Sequence, residues 1–250
     1  AGEFATSSRA VTGHTMCRLL SALQTWLANV GESYPTRKLN EEDWGGVYTR
    51  LQACTIAMIS FRCLLHVVDV VDMTVANLSF TRLPDVNKVH LGVQPWVTKT
   101  EQVGQAKPSH FFLEEEADLV DLCLVRIVSA WLDLTGITSG YLFPKIFGYD
   151  NIQNNRNGHI TTEKFLKNFR SMLKDIKEPP VIYTNHAFRR GGAQFLYNEL
   201  GFNLVDVCEW GKWATSLSNA TILRYLMADT DLVRTPRHLL MLPGRRQQKM

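Results

Sequence analysis

Nowhere in these 250 residues does an apolar run approach the roughly 20 consecutive residues that a helix needs to cross a bilayer, so no membrane-spanning helix is expected. The first residues lack the basic, apolar and small-residue succession of a secretory leader, and a soluble protein is the reading. Cysteine is sparse and unpatterned. Cys17, Cys54, Cys63, Cys123 and Cys208 are odd in number, widely spread and mostly embedded in apolar runs. This usage points to buried thiols in a reducing compartment rather than a disulfide framework. No Cys-x-x-Cys and no Cys/His pair at zinc-ligand spacing occurs, so no metal is expected. Internal repeats are absent as well.

Charge is not in large excess either: the net value is +3, a weak argument for a polyanionic partner. Its distribution is more informative. Residues 1–150 carry 12 Lys/Arg against 16 Asp/Glu, and residues 151–250 carry 15 against 8. The second part is the one expected to face nucleic acid, because neutralisation of phosphates by Lys and Arg supplies most nonspecific affinity. With 45% hydrophobic residues the chain has enough apolar surface for one large core or two modest ones.

Periodicity is mostly helical. Met16, Leu19, Leu20, Leu23, Trp26, Leu27 and Val30 form one apolar stripe. Asn40, followed by acidic residues, predicts the cap of a helix over 42–61, with a second helix over 64–73. Val89, Leu91 and Val93 alternate, and the stretch to Leu113 contains Gly104 and Pro108, which reads as a hairpin or small sheet. A helix is expected over 115–134, stopped by Gly136. The Asn-rich stretch 148–159 reads as a surface loop. A Thr-capped amphipathic helix follows and ends at Pro179–Pro180. Short helices are expected over 186–200, 203–209, 217–228 and 231–240. The economical architecture is one mainly α domain with a small β-element. In this division 1–10 is a cloning remnant or flexible N-terminus and 11–40 an N-terminal helix with connector. Residues 41–228 are the main domain, and 229–250 a tail that could pack into a neighbouring copy.

The stretch from His186 to Leu196, HAFRRGGAQFL, carries the chemistry. His186 and Arg189 sit one turn apart on one helical face, where an imidazole and a planar guanidinium fork can grip a single phosphate. A bare His-x-x-Arg is more often a helix cap and a surface cation. Gly191, Gly192 and Ala193 weigh against that, since small residues two to four positions after Arg189 permit close approach of another backbone. Downstream come GKW at Gly211 to Trp213 and the tyrosine Tyr225 in TILRYLMA. Most tyrosines in such a setting are amphipathic packing residues. A phenol with its ordinary pKa near ~10 needs a neighbouring base or cation to act as a nucleophile.

Across about 45–228 this arrangement resembles the tyrosine recombinases, and HAFRRGGAQ with its spacing to GKW and RYL looks most like the recombinases of Crypton transposons. The resemblance implies the tyrosine recombinase catalytic-domain fold and DNA breakage and rejoining through a 3′-phosphotyrosyl intermediate without cofactor. It implies His186 and Arg189 as the family's paired cluster, Trp213 at the position of histidine or tryptophan, and Tyr225 as nucleophile. Lys99 matches the hairpin lysine, with Lys107 as fallback. Arg62, Arg190, Lys107, Lys212 and Arg224 are the further candidates for contact with DNA. Double-stranded DNA is the implied partner, a homotetramer on two duplexes the implied assembly, and the nucleus the implied location.

One position departs from the pattern. In CLLHVVD, Asp69 supplies the family's acidic residue, but His66 stands where the first arginine is expected, and Arg62 lies one turn earlier. A neutral imidazole offers one donor where guanidinium offers five. A tolerated variant, an engineered inactivating change and a domesticated domain that binds DNA without cutting it all fit this substitution. A buried packing histidine fits it too.

Overall fold

The computed structural model describes residues 9–30, 35, 37–38, 41–85, 87–95, 110–113, 117–152, 158–180, 183–213 and 226. Helix α2 (Val47–Arg62) is its axis, with every residue except Tyr48 buried. Such all-round burial requires neighbours on every side. They are α1 (Gly13–Val30), α3 (Val67–Val71), α4 (Leu124–Thr135), α5 (Thr162–Asp175) and α6 (Ala187–Gln194). Ala53, Ala57 and Ser60 let these elements approach closely, and Ile56, Met58, Ile59 and Phe61 fill the space between them.

The polar residues of α2 are satisfied by specific partners. The Arg50 guanidinium lies 4.5 Å from the Trp26 ring and 4.3 Å from the Trp44 ring, and it pairs with Asp175 at 2.8 Å and Asp43 at 3.3 Å. This cation–π sandwich ties α1 to the core. The helix begins five residues later than 42–61 predicts, and Asn40 lies outside the described residues. Local acid does not cap it: Asp43 is engaged by Arg50 and by the Tyr149 hydroxyl. Instead the Asp150 carboxylate, far along the chain, accepts the Thr49 and Tyr48 N–H groups at 2.7 and 2.9 Å. Gly46 is required there, because a Cβ would fall 2.4 Å from Asp150 Oδ2.

Three strands, β1 (Leu78–Leu83), β2 (Lys88–Val93) and β3 (His110–Leu113), form an antiparallel sheet in the order β1-β2-β3. Leu91 and Val93 are fully buried, as their alternation predicts. No sequence expectation named β1, whose residues from Ser79 to Arg82 are exposed and show no apolar alternation.

Other expectations need correction. The helix expected over 64–73 is only Val67–Val71, because Leu64 turns left-handed at φ 51° and His66 is extended. The helix expected over 115–134 is broken: a 3₁₀ segment, Ala117–Leu122, kinks at Leu119, and α4 starts after Cys123. Gly136 ends α4 in the left-handed region, its N–H bonded to Leu132 O at 2.8 Å, as expected. The stretch read as a loop over 148–159 contains β5 (Asn151–Ile152), which pairs with β4 (Ile146–Phe147), and His159 bridges to Pro144. α5 is capped by Thr161, whose Oγ1 accepts the Lys164 N–H at 3.2 Å. α6 runs into a π-helical turn, Phe195–Glu199, and α7 (Leu204–Gly211) follows. The helices expected over 217–228 and 231–240 and the tail 229–250 lie outside the described residues, apart from Leu226.

Candidate active site

α6 is held in place from three sides. Phe188 is fully buried, its ring 4.6 Å from Phe169 and 5.5 Å from Phe165 of α5. A Cβ on Gly191 would meet Val11 O at 1.8 Å, and one on Gly192 would meet Phe61 O at 1.9 Å. The glycine pair thus seats α6 directly on the N-terminal backbone and on the end of α2, the close approach its sequence suggests. Val11 N–H also donates to Ala187 O at 3.0 Å.

Two half-sites meet along this helix. At its start, exposed His186 stands at the N-cap position without making a side-chain cap bond. Half-buried His66, at the start of α3, lies with its ring 5.1 Å from that of His186, edge to face at 89°. The left-handed turn at Leu64 brings it there. Arg189, one turn in, is 6% exposed and therefore not the surface cation of a bare His-x-x-Arg. Its Nη2 donates to Gly211 O at 3.3 Å, and its guanidinium carbon lies 5.0 Å from the Trp213 ring. Trp213 is reached through a tight turn: Lys212 is left-handed at φ 55°, and Trp213 N–H closes back on Cys208 O at 2.8 Å. Arg190 and Lys212 are half-buried beside these groups.

Arg62, the alternative to His66 as a phosphate ligand, ends α2. It is 8% exposed, its Nη1 points at Leu122 O at 3.5 Å, and its guanidinium carbon lies 5.3 Å from the Phe112 ring. It is part of the wall between α2 and β3 because its long stem and fork are absorbed by packing. Lys99, Lys107, Arg224 and Tyr225 lie outside the described residues. Leu226 is described: it packs on a small cluster of Leu64, Ala193 and Val207 that Trp210 and Trp213 also touch.

Two features were missed by sequence reasoning. His110, on β3, is 2% exposed and its Nε2 lies 2.8 Å from Trp210 O. Burial, reinforced by the charges of Lys212 and Arg189, pushes its pKa down to about 4, against hydrogen bonding to the Trp210 and Val93 backbone. Its histidine type and nearness to a strand were the only signals. The second is a row of exposed cations on α5, Lys164, Lys167, Arg170 and Lys174, legible in their three- and four-residue spacing. Four of the five cysteines are buried as expected, with Cys17 half-buried; Cys54 is pushed up to about 12 and Cys63 is raised, both by burial.

No protein-family model matches the chain, and a search of curated proteins finds no significant match. Solved structures do match. The XerH site-specific recombinase bound to difH substrate in a pre-cleavage complex aligns with TM-score 0.51 and 11% identity, over 87% of this chain and 50% of that one. Its post-cleavage complex on palindromic difH aligns with TM-score 0.51 and 10% identity, over 88% and 49%. A lambda integrase dimer bound to a COC′ core site aligns with TM-score 0.45 and 11% identity, over 88% and 49%. The chain has the mainly helical fold of tyrosine recombinase catalytic domains, and it spans about half the length of the recombinase chains it matches.

Proposed function

We propose that this chain breaks and rejoins double-stranded DNA as a tyrosine recombinase of the Crypton type, acting in the nucleus as a tetramer on two duplexes. One observation carries the reading: His66 and His186 in contact, and Arg189 against Trp213, lie along a single helix of a fold shared with site-specific recombinases solved on DNA.

In this mechanism the Tyr225 phenol oxygen attacks a scissile phosphorus. A P–O(Tyr) bond forms, the P–O5′ bond breaks, and the phenolic proton passes to His186. The departing 5′ oxygen takes a proton from Lys99, or from Lys107 in its place. Arg189, with His186 and His66, holds the nonbridging oxygens as charge builds on them, and the Trp213 face keeps the guanidinium in place. Attack of a 5′ hydroxyl on the phosphotyrosine reverses the step and joins strands. The ester retains the energy of the broken bond, so the chemistry calls for no nucleotide. Lys212, Arg190, Arg224 and the α5 cation row would neutralise flanking phosphates.

The test is a pool of nicked suicide duplexes and a denaturing gel. The wild-type chain forms a covalent adduct, Tyr225→Phe forms none, and Arg189→Lys slows its formation by roughly 100-fold or more. A domesticated DNA-binding domain is the second reading, favoured by His66 in the first cation position and by Arg62 facing Leu122 and Phe112. It predicts salt-sensitive duplex binding without adduct, and adduct formation restored by His66→Arg. Absence of duplex binding even at low salt sinks both readings.

A further inference from the structure

We infer that His110 is the positioning residue of this site, the group that locks the Trp210–Trp213 turn to the sheet and so sets where Arg189 and Trp213 stand; this rests on the recombinase reading.

The turn contacts its surroundings at successive residues. Trp210 is clasped by β3: the His110 ring meets its indole edge to face with centroids 4.7 Å apart, and Phe112, on the same face of the strand, does so at 5.6 Å. Its Nε1 donates to Arg62 O at 2.7 Å, anchoring it to the end of α2. The His110 hydrogen bond to Trp210 O, at 2.8 Å, fixes the orientation of that carbonyl. The next carbonyl, of Gly211, is the one that accepts from Arg189 at 3.3 Å. Two residues further, Trp213 lies against the same guanidinium. A rotation of the Trp210 peptide would therefore displace the acceptor of Arg189 and the aromatic face beside it together.

The identity of the residue matters as well as its place. Nε2 faces a carbonyl and must carry a proton, so the imidazole acts here as a donor. It does so uncharged, within reach of the charges of Lys212 and Arg189, where a lysine or arginine would add a third positive charge. A neutral donor of similar reach, the glutamine amide, is the conservative replacement.

The experiment uses the whole chain with His110→Ala and His110→Gln. Amide hydrogen exchange is followed at Lys212 and Trp213, whose N–H groups bond to Glu209 O at 3.1 Å and Cys208 O at 2.8 Å. Affinity for an intact duplex and single-turnover adduct formation on saturating suicide duplex are measured in parallel. His110→Ala should speed exchange at both amides roughly tenfold, keep duplex affinity within about twofold, and slow adduct formation roughly tenfold or more. His110→Gln should recover both exchange and rate. Unchanged exchange in His110→Ala overturns the proposal, as does affinity falling in step with rate, or a folded His110→Gln that recovers neither. A wild-type chain that forms no adduct counts against the recombinase reading alone, and the exchange arm still decides whether His110 locks the turn. Should His110→Ala not fold, His110→Asn, whose shorter amide falls short of the Trp210 carbonyl, replaces it with the same losses expected and the same results overturning the proposal.

Discussion

Two helix starts in this molecule solve the same problem in opposite ways. The first turn of α2 presents donors that a distant carboxylate, Asp150, accepts within 2.9 Å, and an arginine sandwiched between two tryptophans closes the surface beside it. At the start of α6 the cap position is held by His186, which makes no cap bond, faces solvent and touches another imidazole. Exposed N-termini attract anions through their oriented N–H groups and the helix dipole. The fold supplies its own anion at α2, whereas at α6 a neutral residue, Thr184, accepts the His186 N–H at 3.4 Å and the Ala187 N–H at 3.0 Å. The division follows the charge split of the chain, with acid in excess over 1–150 and base over 151–250.

The comparison is broken most severely at the glycines beneath the open end. Gly192→Ala places a Cβ 1.9 Å from Phe61 O, and Gly191→Ala places one 1.8 Å from Val11 O, both against backbone that cannot rotate away. Each should cost about 3 kcal/mol or more, read as a shift in the urea unfolding midpoint. The same substitution at solvent-facing Gly148, where nothing lies within 4 Å, meets only the strain of its positive φ and should cost about 1 kcal/mol.

A pH titration sharpens the open side. The folded-state pKa of His110 lies at about 4, below its ordinary 6.5, so its contribution to stability is complete above about pH 6.5 and is lost as pH falls towards about 4. The loss amounts to about 3 kcal/mol. Unfolding midpoints measured from pH 7 down to 4 should show this slope in the wild type, and His110→Gln should lack it. An unchanged slope in that variant would assign the acid sensitivity to other groups.

The smallest effect is expected at the closed end. Asp150→Asn keeps the shape but removes the charge from the α2 cap, and it should lower stability by about 1 kcal/mol, a melting temperature drop of roughly 2–4 °C. Duplex affinity should not fall. A fall would mean that the α2 end takes part in the DNA binding proposed above.

The same contrast explains what could be read in the residues beforehand. α1, α5 and α6 were legible because each obeys one rule along its own length: an apolar stripe, a threonine cap, a histidine-led turn ahead of small residues. The glycine pair was legible because its need for space is independent of what fills that space. The true start of α2 was not, since its cap comes from Asp150, far along the chain, and local acid at Asp43 pointed elsewhere. β1 escaped because a strand with an exposed middle has no period-two signature. The surroundings of Arg62 were not legible either: one turn from His66 puts it near in sequence, while Leu64 turns the chain left-handed between the two and the Arg62 guanidinium lies beside Leu122 and Phe112.

Val11 joins two parts of the chain mechanically. Its N–H is fastened to Ala187 O at 3.0 Å and its own carbonyl lies where Gly191 leaves room, so the chain ahead of α1 is riveted to the helix that bears the guanidinium. A displacement of the backbone at Val11 would therefore be felt in α6 without passing through any side chain.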